Sequence, residues 1–60
     1  MEKFEVEVGK IEINGTWVHS VRVTEDGKLL IKGHFNSRHE AREVAETEAK
    51  RLGVEVRYLD

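Results

Sequence analysis

The pair Asn14-Gly15 constrains this chain more than any other feature of its sequence. Asn-Gly between alternating apolar residues is the strongest short-range signal for a two-residue β-hairpin turn of type I′. Such a turn fixes the register of the strands that it joins, so it places Ile13 opposite Thr16 and Ile11 opposite Val18. The first half of the chain is therefore predicted to form a long antiparallel hairpin.

The apolar phase of the first strand changes at Gly9. Val6 and Val8 alternate with glutamates, whereas Ile11 and Ile13 have the opposite parity. Either Gly9 forms a β-bulge that bends the strand and turns the isoleucines toward the core, or the strand is continuous and the isoleucines lie on the other face. The sequence leaves both alternatives open.

The second turn, at Asp26-Gly27, is predicted to be a three-residue loop that ends in a left-handed glycine. A two-residue loop would place Lys32 opposite Val21 on the core side of the sheet, so the longer loop is favoured. Gly33 then falls opposite His19. The residues expected on the side that faces the helix are Trp17, His19, Val21, Val23, Leu29, Ile31 and Phe35.

A single helix follows the third strand. Ser37 and Glu40 have the spacing of a capping box, which marks the helix start, and Gly53 is expected just beyond its last turn in the left-handed conformation. The apolar stripe of the helix comprises Ala41, Val44, Ala45, Ala49 and Leu52. A final strand is expected in residues 54–59, with Val54, Val56 and Tyr58 pointing inward.

These elements predict one α+β domain that spans residues 1–60. The order is β-β-β-α-β, in a curved and mostly antiparallel four-stranded sheet with the helix on one face. A strand–helix–strand crossover makes the last strand parallel to the third. The predicted strand order is 4-1-2-3.

No constellation of residues predicts catalysis or a cofactor. The chain has no cysteine, which excludes disulfides and zinc–thiolate sites. The predicted register separates His19, His34 and His39, so they cannot converge on a metal ion. No nucleophile has a base within reach. We therefore expect no enzyme activity, no metal and no cofactor.

The face of the sheet turned away from the helix is the candidate binding surface. It is expected to carry Val18, Ser20, Arg22, Leu30, Lys32 and His34. An exposed apolar patch there would indicate an interface, so a homodimer and a monomer both remain possible. The net charge of −2 argues against nucleic acid as a partner. The longest apolar run is too short to span a membrane, and a soluble chain compatible with cytoplasmic expression is expected.

Part of the chain, residues 15–52, resembles the DNA-binding domain of plant ethylene-response factors, and the phage-integrase arm-binding domain is similar. The segments that carry the resemblance are Gly15-Thr16-Trp17-Val18, Val21-Arg22-Val23, Asp26-Gly27-Lys28, Gly33-His34-Phe35-Asn36-Ser37 and Glu40-Ala41. The resemblance implies a three-stranded sheet on one helix, with the outer sheet face in the major groove. Ser20 and Arg22 would then face DNA, together with Lys32 and His34.

The chain also resembles computationally designed mini-proteins. Asn-Gly and Asp-Gly turns, a capping box and a glycine after the helix all agree with one fold, and the sixty residues include no proline. This resemblance implies a stable scaffold, designed or engineered, with no evolved ligand. That is the leading functional hypothesis; nucleic-acid binding and self-association are the alternatives.

Overall fold

One helix packs against one face of a four-stranded sheet in the computed structural model of this chain. The structure describes residues 2–59, and among these the side chains at positions 31 and 32 are excepted. The elements are β1 (Phe4–Ile13), β2 (Thr16–Glu25), β3 (Lys28–Phe35), α1 (Arg38–Leu52) and β4 (Val56–Tyr58). The sheet order is β3-β2-β1-β4, with β4 parallel to β1 and the other pairs antiparallel. The predicted α+β class is confirmed.

The β1–β2 hairpin has the predicted turn and register. Asn14 and Gly15 have φ of 50° and 80°, as a type I′ turn requires. Pairing runs without interruption along both strands, and Gly9 lies opposite Ser20 within it. Gly9 therefore forms no bulge, and the continuous-strand alternative is correct. Ile11 and Ile13 consequently lie on the face turned away from the helix.

The predicted three-residue loop between β2 and β3 is wrong. Asp26 and Gly27 form a two-residue turn with φ of 50° and 86°, and Glu25 pairs with Lys28. A β-bulge follows at once, because Thr24 pairs with Leu29 whereas Val23 pairs with Ile31. Leu30 is the extra residue. It shifts β3 by one position, so Ile31 still falls opposite an inward valine despite the shorter turn.

This register moves two large side chains out of the expected core. β3 ends at Phe35, which pairs with His19, so no residue of β3 lies opposite Trp17. Trp17 is 64% exposed. Leu29 pairs with Thr24 instead of Val23 and is 52% exposed. Gly33 correspondingly lies opposite Val21 and not opposite His19.

Both ends of α1 lie at the predicted cap residues, Ser37 and Gly53, but the N-terminal cap lacks its side-chain hydrogen bond. Ser37 has the extended backbone of an N-cap residue and its carbonyl accepts a hydrogen bond from the Ala41 N–H at 3.2 Å, but its side chain makes no cap hydrogen bond. The predicted capping box is therefore wrong in that contact. Gly53 has φ of 73°, and the Val54 N–H donates to the Ala49 carbonyl at 2.9 Å. This is the predicted glycine-terminated end.

Within the described part of the chain, the fully buried core consists of small side chains. It comprises Val6, Val8, Val21, Val23, Ala41, Ala45 and Ala49. The partly buried residues packed against it are Phe35, Val44, Leu52, Val54 and Val56. Tyr58, expected inward, is 41% exposed and its hydroxyl donates to Glu46 at 3.3 Å, because β4 lies at the sheet edge and the long ring extends past the core.

Candidate interaction surface

The sheet face turned away from α1, here termed the outer face, carries an apolar group at the hairpin end. The group, termed the tip cluster, consists of Ile11, Ile13, Val18 and Leu59. Ile11 and Val18 pair directly across β1 and β2 and are half-buried. Ile13 is 40% exposed and Leu59 is 53% exposed. The tip cluster is thus a contiguous apolar surface open to solvent.

The tip cluster is open because the hairpin extends past its neighbours. β3 ends opposite His19, and β4 pairs with β1 only as far as Val8. Beyond those positions β1 and β2 continue as a two-stranded ribbon, which contributes to a long molecular axis of 39 Å. No strand flanks this ribbon within residues 2–59, and α1 packs on the opposite face of the sheet, so the apolar side chains on the outer face are open to solvent.

A hollow lies beside the tip cluster, above Gly9. It has a volume of about 310 Å³ and is lined by Glu7, Gly9, Lys10, Ile11, Ser20, Arg22 and Leu59. Gly9 contributes no side chain to it, and a Cβ there would lie 3.8 Å from Leu59 and 3.9 Å from the Ser20 hydroxyl. The hollow therefore has Leu59 and Ile11 as apolar walls and one polar rim.

An ionic row crosses the middle of the outer face. The Glu7 carboxylate lies 3.3 Å from the Arg22 guanidinium and 3.9 Å from that of Arg57. Arg22 pairs with Glu7 across β1 and β2, and Arg57 pairs with it across β1 and β4. Glu7 is partly buried between them, so much of the positive charge of the row is compensated locally.

Carboxylates gather at the end of the sheet opposite the tip cluster. Partial burial raises the pKa of Glu25, and the neighbouring carboxylates of Glu2 and Asp26 raise that pKa further. The Lys3 backbone N–H donates to the Asp26 carboxylate at 2.9 Å. The ionised form of Glu25 is therefore disfavoured at this end of the molecule.

The outer-face residues singled out from the sequence are Val18, Ser20, Arg22, Leu30, Lys32 and His34. The structure places Val18, Ser20 and Arg22 on the outer face, and an exposed His34 opposite Ser20. Lys32 pairs with Arg22 in the backbone, and its side chain lies outside the described ones. Leu30 is 52% exposed, but as the extra residue of the bulge it has no partner on β2, so strand alternation assigns it no face.

The sequence did not indicate the roles of three residues of this surface. Gly9 leaves the space for the hollow, Leu59 forms one wall of it, and Glu7 is the centre of the ionic row. A glycine inside a strand is itself a signal for close approach or missing packing. Leu59 gave no such signal, because its position depends on the pairing of β4 with β1.

No family model, curated protein or solved structure matches this chain. No helix in residues 2–59 is long and apolar enough to cross a membrane. Over the same span no three His, Cys, Asp or Glu side chains are grouped to hold a metal ion. His39 pairs with Glu43 on α1 at 3.0 Å, whereas His19 and His34 lie on opposite faces of the sheet. The chemistry of the surface is therefore the basis for inferring function.

Proposed function

We propose that this chain is a non-enzymatic folded scaffold that associates with a second copy of itself through the outer face. The observation that carries this proposal is the distribution of large apolar side chains. Among the side chains that the structure describes, those that are fully buried are valines and alanines, while the tip cluster places two isoleucines, a valine and a leucine on one uncovered surface. Contiguous apolar surface of this kind indicates an interaction site.

The expected association is weak and reversible. Complete burial of an Ile or Leu side chain contributes about 1.5–3 kcal/mol, and the tip cluster is already partly buried in the single chain. The gain is therefore a few kcal/mol per copy, of the same order as the cost of association, which is roughly 4–15 kcal/mol. Face-to-face packing of two antiparallel sheets is the usual way to cover such a surface.

Sedimentation velocity from micromolar to millimolar concentration tests this proposal. We expect concentration-dependent dimers for the parent chain and monomers for Val18→Lys, which places a charge in the tip cluster. The matched control is Thr24→Lys, since Thr24 is half-buried on the same strand and face but lies away from the tip cluster. A parent chain that stays monomeric throughout contradicts the proposal.

Nucleic-acid binding through the same face is the second candidate. It is supported by Arg22 and Arg57, which lie on the outer face, the face that the resemblance to ethylene-response factors would direct at DNA. The local compensation by Glu7 and the net charge of −2 weaken it. Titration with duplex DNA at low salt tests it: phosphate binding should fall steeply with salt and should be lost in Arg22→Glu.

We also propose a designed or engineered origin. Both tight turns carry residues that adopt positive φ readily, and Gly53 ends the helix in the left-handed conformation. Each local choice thus agrees with the global fold, as in idealised designs. Thermal denaturation followed by circular dichroism tests this. A midpoint above about 90 °C supports a hyperstable design, and one of about 45–65 °C contradicts it.

A further inference from the structure

Three positions on β1 form a symmetric pattern on the outer face. Ile11 lies at the centre, the hollow at Gly9 lies two residues before it, and Ile13 lies two residues after it. All three have the same parity and so share one face. Each outer position is about 7 Å from the centre, at about 3.4 Å per residue. The pattern therefore pairs a protruding side chain with a hollow at equal distances from Ile11.

We propose that two copies of the chain pack face to face so that Ile13 of each enters the Gly9 hollow of the other; this arrangement rests on the self-association proposed above. A two-fold axis that lies between the sheets, crosses β1 at a right angle and passes over Ile11 exchanges the two ends of the pattern. Ile11 then meets its own equivalent, and so does Val18, which pairs with Ile11 across the hairpin. The interface is isologous and closed.

The twist between packed sheets preserves this contact. Sheets that pack face to face differ by about 30° in strand direction. This difference is a rotation about the line through Ile11 that is normal to the sheets. At about 7 Å from Ile11 it displaces a side chain by about 3.5 Å, which is less than the spacing of about 4.8 Å between neighbouring strands. Ile13 therefore still falls within the hollow, whose lining extends from Leu59 to Ser20.

The arrangement leaves the ionic row at the rim. The axis over Ile11 places Glu7 and Arg22 opposite the hairpin turn of the second copy, where Asn14 and Gly15 are exposed. Glu7 and Arg22 also line the hollow, so Ile13 of the second copy contacts the edge of this ion pair, but no ion pair forms between the two copies. The dimer should accordingly respond weakly to salt, in contrast to binding of nucleic acid.

The contact area indicates that the dimer should be weak. The strand positions from Glu7 to the turn at Gly15 cover about 30 Å along the ribbon, and its two strands cover about 10 Å across it. The footprint is thus about 300 Å² per copy, well under half of the roughly 800 Å² per partner in a standard stable interface. We expect a dissociation constant on the order of 100 μM to 1 mM, as for weak, transient contacts.

The Gly9→Val variant tests the register directly. The nearest atoms to a Cβ at Gly9 lie 3.8 Å away, so the single chain accommodates the Cβ at ordinary contact distance, and the valine methyl groups extend into the hollow. We expect the dissociation constant measured by sedimentation to rise about tenfold or more. Thr24→Val is the control, because it exchanges a hydroxyl for a methyl group and so makes the same face more apolar outside the contact; it should leave the constant unchanged.

A compensating variant tests the contact between Ile13 and the Gly9 hollow separately from self-association in general. Gly9→Val combined with Ile13→Ala exchanges the protruding group and the hollow, and should restore most of the lost dimer. Circular dichroism melts at low concentration should show that every variant is folded. A dimer that tolerates Gly9→Val but is lost in Val18→Lys overturns this register and leaves self-association standing. A parent chain that is monomeric at millimolar concentration overturns both proposals.

Discussion

Gly9 and Gly33 both lie inside strands, yet the same substitution should affect them in opposite directions. A Cβ at Gly33 would lie 3.0 Å from Cε2 and 3.3 Å from Cζ of the Phe35 ring. That ring is packed against the core, so it cannot move away freely. At Gly9 the nearest atoms, from Leu59 and Ser20, are at ordinary contact distances of 3.8–3.9 Å.

The magnitudes follow from two opposing effects. Replacing Gly by Ala without strain stabilises a protein by about 0.4–1 kcal/mol, because it restricts the unfolded chain. Overpacking costs about 1–3 kcal/mol. Gly9→Ala should therefore raise the free energy of unfolding by about 0.4–1 kcal/mol, whereas Gly33→Ala should lower it by about 1–2 kcal/mol.

Urea denaturation followed by circular dichroism measures both changes. Micromolar protein keeps the chain monomeric, so that association does not enter the comparison. Gly33→Ala should lose most of its effect when Phe35 is replaced by Leu, because the crowding atoms are then removed. Changes of the same sign at Gly9 and Gly33, or an unaltered penalty in the Phe35→Leu background, would refute this reasoning.

Three further substitutions address the turns and the charges. Gly27→Ala should cost about 1 kcal/mol in urea denaturation, because its φ of 86° is unfavourable for a residue with a Cβ; Gly27→Asn should cost less. Since the folded state raises the pKa of Glu25, it binds that proton more readily than the unfolded chain does, and stability falls as pH rises through the raised pKa. Glu25→Gln should therefore raise the free energy of unfolding at neutral pH, and this gain should disappear in acid. A gain that is independent of pH would show that ionisation of Glu25 is not its cause. Glu7→Gln should cost less than about 1 kcal/mol, and less again in high salt, because Arg22 and Arg57 are largely exposed partners.

Residues that require a special backbone conformation made much of the fold predictable. The Asn14-Gly15 pair determined the register of β1 and β2, because few other residues adopt positive φ at both turn positions. Gly53 located the end of α1 for the same reason. The spacing of alanines on α1 indicated which side faces the sheet. In each case a local constraint was strong enough to define the element.

The run Leu29-Leu30-Ile31 shows why the rest could not be predicted. Three consecutive apolar residues contain no alternation, so the phase of β3 cannot be read from them. Both possible turns place Ile31 opposite a core valine: the longer loop would place it opposite Val21, and the bulge at Leu30 places it opposite Val23. The hollow at Gly9 was equally hidden, because its wall is supplied by Leu59, distant in sequence and brought close only by the parallel pairing of β4.

The bulge at Leu30 has a consequence for how copies of this chain can accumulate. β3 forms one edge of the sheet, and a regular edge strand is a template on which further chains add to form fibrils. The extra residue interrupts the even spacing of backbone N–H and C=O groups that such a template needs. The other edge, β4, offers only Val56–Tyr58. Growth along the hydrogen-bonding direction is therefore disfavoured along β3 and β4, where added strands would otherwise extend the sheet toward amyloid-like polymers.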